Sequence, residues 1–190
     1  MNHYKFLFSC WLAIIICTPA AAYDIQKGIH GMNWGSAISE HDDLVKVHEA
    51  GQAAYYVNLN MSYRTANQPI PGVYYGFYRD QLFAVFVKLR SPDQFSQLER
   101  QFSAKHGKPK TVHNAETGQT VYRWQAADVK IKLKIKESPG EFKLAIYYSP
   151  LAAELNQEQL ERIPADALGS TLSEKDKTVK SAPLLDSQEK

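Results

Sequence analysis

The side chains with the most obvious capacity for chemistry in this 190-residue chain fall in two places. The first is His41-Asp42-Asp43 with His48, near Ser36 and close in sequence to Asp24, Glu40 and Glu49. Imidazoles and carboxylates at short spacing are raw material for a metal site or for acid–base hydrolysis. Neighbouring residues on a helix do not face one another, however, and neither an HExxH nor a facial-triad spacing is present, so no metal is expected. Gly35-Ser36-Ala37 lacks the second glycine and the α/β frame of a nucleophile elbow, and no glycine-rich phosphate loop occurs. Neither a catalytic residue nor a cofactor is assigned. A hydrolase using acidic residues near His41 stays open as an alternative.

The second place is VKIKLKIK, Val129 to Lys136, where apolar and cationic residues alternate without a fault. In a strand this puts Val129, Ile131, Leu133 and Ile135 on a buried face and Lys130, Lys132, Lys134 and Lys136 on the other. Keeping apolar opposite apolar pairs Ile135 with Leu144, Leu133 with Ile146 and Ile131 with Tyr148, and sets Lys136 beside Lys143 and Lys132 beside Tyr147. A tight turn at Ala126-Ala127 pairs Trp124 with Val129 and brings Arg123 beside Lys130. Arg123, Lys130, Lys132, Lys134, Lys136 and Lys143 then form one cationic surface with Tyr147 at its side. That surface suits an anionic partner: an acidic protein, lipid head groups or a polyanion. Equally, lysines solubilise an exposed sheet face, and they deter edge pairing if the strand is outermost.

The elements that must hold these residues are mostly strands. LVKVH and AAYYVNL flank a turn-like EAGQ, and VYYGFYRDQLFAVFVKLR holds two β-branched and aromatic runs about Arg79-Asp80-Gln81. Both faces of that second hairpin are apolar enough to need cover. A helix supplies it on one side; the N-terminal segment with Tyr55 and Val57, a ligand or a second subunit in a homodimer supplies it on the other. Ile29 to Trp34 is a short apolar stretch, with Ser36 placed to cap a brief helix through Asp43. NMSYRTANQPIPG, residues 60–72, reads as a polar loop.

One helix is well signed: Ser91 as N-cap, Pro92 at the first position, Gln94 completing a capping box, and Gly107 with Pro109 ending the run. Phe95, Leu98 and Phe102 share a stripe that faces the sheet. Strands resume from Thr111, and a weaker helix is expected from Leu151 to about Ile163. Consecutive strands with few helices predict one α+β domain over residues 23–168, a mainly antiparallel sheet of about six to eight strands with one principal helix on one face. Residues 169–190 have no aromatic residue and no sustained period, and read as a disordered tail.

Met1 to Ala22 has a lysine, a short apolar run and an A-x-A ending, the pattern of a secretory signal peptide cleaved near Ala22. The expected destination is the periplasm or the exterior. Both cysteines, Cys10 and Cys17, leave with that peptide, so the mature chain is held without disulfides. No later segment reaches the ~20 apolar residues of a membrane span. Removing Lys5 leaves 21 of the 22 cationic side chains against 20 acidic ones, a balance that does not suit a dedicated nucleic-acid protein.

At IHGMNWGSAISE, VYYGFYRDQLFAVFV and the helix ending KHGKP, the chain resembles a family of small exported bacterial proteins of no assigned activity, with a G-x-x-W-G opening and a Y-G-F-Y hairpin. The likeness runs from about Ile29 to Tyr148. It implies a bacterial envelope setting and one domain, with Gly35 and Gly76 serving the backbone, and it implies no catalytic residues. The function expected is therefore that of a non-enzymatic binding or envelope-associated protein, with a periplasmic immunity or inhibitor protein as a further alternative.

Overall fold

The computed structural model describes residues 24–138, 140–155 and 180–185. The expected signal peptide lies outside them, as does most of the expected tail. Eight strands form the main sheet: β3 (Leu44–Ala50), β4 (Ala53–Asn58), β7 (Gly72–Tyr78), β8 (Gln81–Leu89), β9 (Lys110–Asn114), β10 (Gln119–Ala126), β11 (Val129–Lys136) and β12 (Glu141–Tyr148). Their order is β3-β4-β7-β8-β12-β11-β10-β9, with every pairing antiparallel. Helix α1 (Pro92–His106) carries the chain from β8 to the far edge, and the meander returns to place β12 beside β8. The expectation of an antiparallel-sheet protein with one principal helix is met at this level.

One face of the sheet holds a continuous core. Val73, Tyr75, Phe77, Val85, Val87, Trp124, Ile131, Leu133, Leu144 and Ile146 pack there against Phe95, Leu98 and Phe102 of α1. Burying each such aliphatic or aromatic side chain is worth about 1.5–3 kcal/mol. Ser91 caps α1 through the Gln94 amide, while Gln94 turns its Oε1 back to the Arg90 N–H at 2.7 Å, one residue earlier than a standard capping box. Gly107 ends the helix at φ 80°, and its carbonyl accepts from Trp124 Nε1 at 2.9 Å.

Three departures from expectation complete this layer. Residues 60–72 are not a polar loop: β5 (Met61–Thr65) and β6 (Gln68–Pro69) pair through a two-residue turn at Ala66 and Asn67, with φ of 50° and 55°. Buried Gln94 holds this short pair by donating to the carbonyls of Gln68 and Pro69. Within the expected tail, Lys180–Pro183 forms β13, parallel to β5, and Leu184 is buried in the core. At the start, β1 (Gly28–Ile29) and β2 (Met32–Asn33) make a small hairpin, followed by a 3-10 turn at Ile38–Glu40. Ser36 does not cap that turn; its Oγ is hydrogen-bonded to His41 Nε2 at 2.9 Å.

The opposite face divides in two. Over β4, β7 and β8 it is aromatic: Tyr55, Tyr74, Tyr78, Phe83 and Phe86 are buried with Ala152 and Leu155. Tyr55 belongs to the sheet itself, so it is not the cover expected of it. Cover comes from α2 (Ser149–Ala152) and the residues after it, a helix that starts two residues before the expected Leu151; its expected course to Ile163 lies outside the described residues from 156 onward. Gly76 does not take a positive φ; it sits where the β7–β8 register shifts, and a Cβ there would come within 2.9 Å of the Phe83 ring. Gly35, at φ 79°, does meet a backbone need.

Candidate functional site

The other half of that second face carries the cations. Facing parity along β11 is as the alternation requires, but both pairings are shifted by two residues. The turn is at Ala127-Asp128, with Ala126 opposite Val129 and Trp124 opposite Ile131. On the other side Leu133 meets Leu144, Ile131 meets Ile146 and Ile135 meets Phe142. A shift of two conserves which face each side chain takes, so the core is unchanged while the neighbours on the cationic face are not.

Read across the strands, the face is ordered in rows. Lys88, Lys143 and Lys134 stand side by side on β8, β12 and β11. The next row sets Lys132 opposite Arg123, and Arg123 opposite Lys110 of β9. Lys130 stands between Gln125 and Tyr147, and Lys136 between Gln119 and Glu141. All six expected cations share this face. Lys88 and Lys110 join them, and neither was expected, because only the strand order β8-β12-β11-β10-β9 brings them alongside. Strand β11 lies in the sheet interior, so the idea that its lysines guard an edge is overturned; the edges are β3 and β9.

Glu141, at the first position of β12, is the carboxylate that these rows contain among the described residues, and it bridges to Lys143 Nζ at 2.8 Å. The hydrogen bond from Lys143 holds its acidity below the ordinary carboxylate range, with the charges of Lys143, Lys136 and Lys88 adding to the effect. Glu141 thus registers the field of three different strands.

At one end of the rows a cavity of about 330 Å³ opens between the sheet and α2. Lys130, Lys132 and Tyr147 line its floor, Ser149 its rim, and Ala152, Ala153 and Leu155 its wall. The Lys132 ammonium lies 5.0 Å from the centre of the Tyr147 ring, a cation–π distance. Tyr147 is itself only 3% exposed and packs edge-on against Phe86, so it supports Lys132 from beneath and offers little surface of its own. The Ser149 N–H donates to the Asp128 carbonyl at 2.7 Å, while its Oγ is shielded from water and has no hydrogen-bond partner among the described residues. Ammonium groups with a hydroxyl beside them offer donors to the oxygens of an anion.

The acidic set near His41 is drawn into local contacts. Glu40 Oε1 accepts from the Ala37 N–H, Asp24 from the Gln26 N–H, Asp43 from Asn58, and Glu49 bridges to Lys46 at 2.9 Å. Ser36 and His41 are within hydrogen-bonding distance, but among the described residues no carboxylate bonds to His41 to complete a triad, and no group of three metal-ligating side chains occurs there. A different polar cluster escaped the sequence reading. His30, at φ 51°, is hydrogen-bonded to the Tyr75 hydroxyl at 2.8 Å and to the Leu184 carbonyl at 3.0 Å, and Tyr75 meets Tyr63 at 2.7 Å. It fastens β13 to the core across more than 150 residues of sequence, a pairing with no local signal.

No family model, curated protein or solved structure matches the chain. No helix among the described residues is long and apolar enough to cross a membrane.

Proposed function

We propose that the chain is an exported periplasmic protein, of the small envelope family its motifs resemble, that acts without catalysis by engaging an anionic envelope partner through the cationic sheet face. The observation that supports this reading is the adjacency of Lys88, Lys143 and Lys134 in one row and of Lys132, Arg123 and Lys110 in the next. Like charges directly opposed across strands cost about 0.2–1 kcal/mol per pair. An anion laid over the rows removes that repulsion and releases the counterions that otherwise attend them.

The test is retention of the mature chain on heparin and on vesicles containing anionic lipid, at rising salt. Binding is expected to weaken steeply with salt and to fall sharply when Lys130, Lys132 and Lys134 are replaced together by Ser. Retention indifferent to that replacement, on both matrices, rejects the reading.

A further inference from the structure

On the far side of the sheet from the lysine rows, a second cavity of about 650 Å³ opens between α1, the β5–β6 turn and β13. Its size lies within the range of small-molecule sites. Its composition is unlike that of the aromatic and aliphatic core beneath it. Arg64 comes from β5 and Arg100 from α1, and no carboxylate lines the cavity among the described residues. Both arginines are exposed, so neither is needed to fill the core. Arg64 is oriented by a bond from its Nη2 to the Asn67 carbonyl at 3.1 Å, made across the tight turn at Ala66 and Asn67. That bond uses one of the five donors of a guanidinium.

The remaining polar lining has a different chemistry. Gln97 and Gln101 stand four residues apart, on one side of α1 with Arg100, and Ser181 faces them from β13. Amides and hydroxyls both donate and accept, which suits a polyol. Gln101 Oε1 is shielded from water and has no partner among the described residues. An unmet buried acceptor is destabilising, and a carboxylate has no hydrogen to give it. A ligand hydroxyl does, provided that Gln101, which lines the cavity, turns its amide toward it. Pro183 and Leu185 add an apolar wall against which the C–H face of a sugar ring can lie.

We propose that this cavity binds a small hydroxylated anion, an acidic sugar or sugar phosphate, with Arg64 and Arg100 taking the oxyanion and the α1 amides and Ser181 taking hydroxyls. Planar guanidinium groups match carboxylate and phosphate oxygens two at a time, which distinguishes this site from the point charges of the lysine face. Because β13 forms one wall, the ligand also ties residues 180–185 to α1.

Calorimetric titration of the mature chain with glucuronate, glucose 6-phosphate, glucose and inorganic phosphate tests this, the first two probes separating carboxylate from phosphate. Saturable binding of at least one charged sugar is expected, weakened roughly tenfold or more by Arg64→Gln or by Arg100→Gln and unchanged by the Lys130, Lys132 and Lys134 replacements. Hydrogen exchange at 180–185 should slow in the presence of that probe. The proposal is overturned if neither charged sugar binds at millimolar concentration, if the double arginine variant binds as the parent does, if glucose binds equally well, or if inorganic phosphate binds as tightly as glucose 6-phosphate.

Discussion

Lys88 on β8 stands directly opposite Lys143 on β12, and Lys143 in turn stands opposite Lys134 on β11. A row of three lysines across three hydrogen-bonded strands is a local conflict within an otherwise consistent sheet. It separates stability from binding in a way that one substitution can expose.

Lys88→Glu puts a carboxylate opposite Lys143 on an exposed position. Removing a like-charge pair and creating an opposite-charge pair should stabilise the sheet by at most about 1 kcal/mol, offset in part by repulsion between the new carboxylate and Glu141, which already bridges Lys143. The same change should weaken retention on an anionic matrix, because it puts a negative charge into the row. Urea melts and salt elution, measured on one preparation, would show the two moving in opposite directions. A variant that lost stability and kept its retention would mean that the row serves neither role assigned to it.

Gly76→Ala probes the aromatic half of the same face. The added methyl would lie 2.9 Å from Phe83 Cε1 and 3.3 Å from Phe86 Cε2, and both rings are fully buried. Overpacking of this kind costs about 1–3 kcal/mol. Phe83→Leu in the Gly76→Ala background should return part of that loss, since the smaller side chain gives the methyl room. Additive losses in the double variant would place the strain elsewhere.

How much of this was legible follows from the range of each signal. The alternation of VKIKLKIK is a property of neighbouring residues, so the buried face of β11 was readable from sequence, as were the Ser91 cap and the Phe95, Leu98 and Phe102 stripe. Register within the meander was readable only to parity. Turns at Ala126-Ala127 and Ala127-Asp128 look alike in composition, and moving the pairing by two keeps every apolar residue inward. Lys88 and Lys110 depend on strand order, which is set by where α1 delivers the chain. Residues 60–72 deceived for another reason. Pro69, Pro71 and the polar run argue for a loop, whereas β5 pairs with the distant β13 and Gln94, some 25 residues away, supplies hydrogen bonds to the carbonyls of Gln68 and Pro69. The arginine cavity joins segments from three parts of the chain, and no spacing in the sequence reports it.

His106 should make stability depend on pH. It closes α1 beside Phe102, with ring centroids 6.3 Å apart, and its Nε2 is shielded without a partner among the described residues. Burial, aided by the charge of Lys105, holds the imidazole below its ordinary 6.5. The unfolded chain therefore takes up the proton first as pH falls. From pH 6.5 downward the unfolded state binds more protons than the folded one, so stability rises with pH across that window and is complete above it. The parent chain should lose melting temperature progressively as pH falls below 6.5, and His106→Gln should lose less over the same window, whatever its stability at pH 7. Parallel melting curves for the two proteins between pH 7 and 5 would remove His106 from the account and leave the acid response to the other histidines and carboxylates.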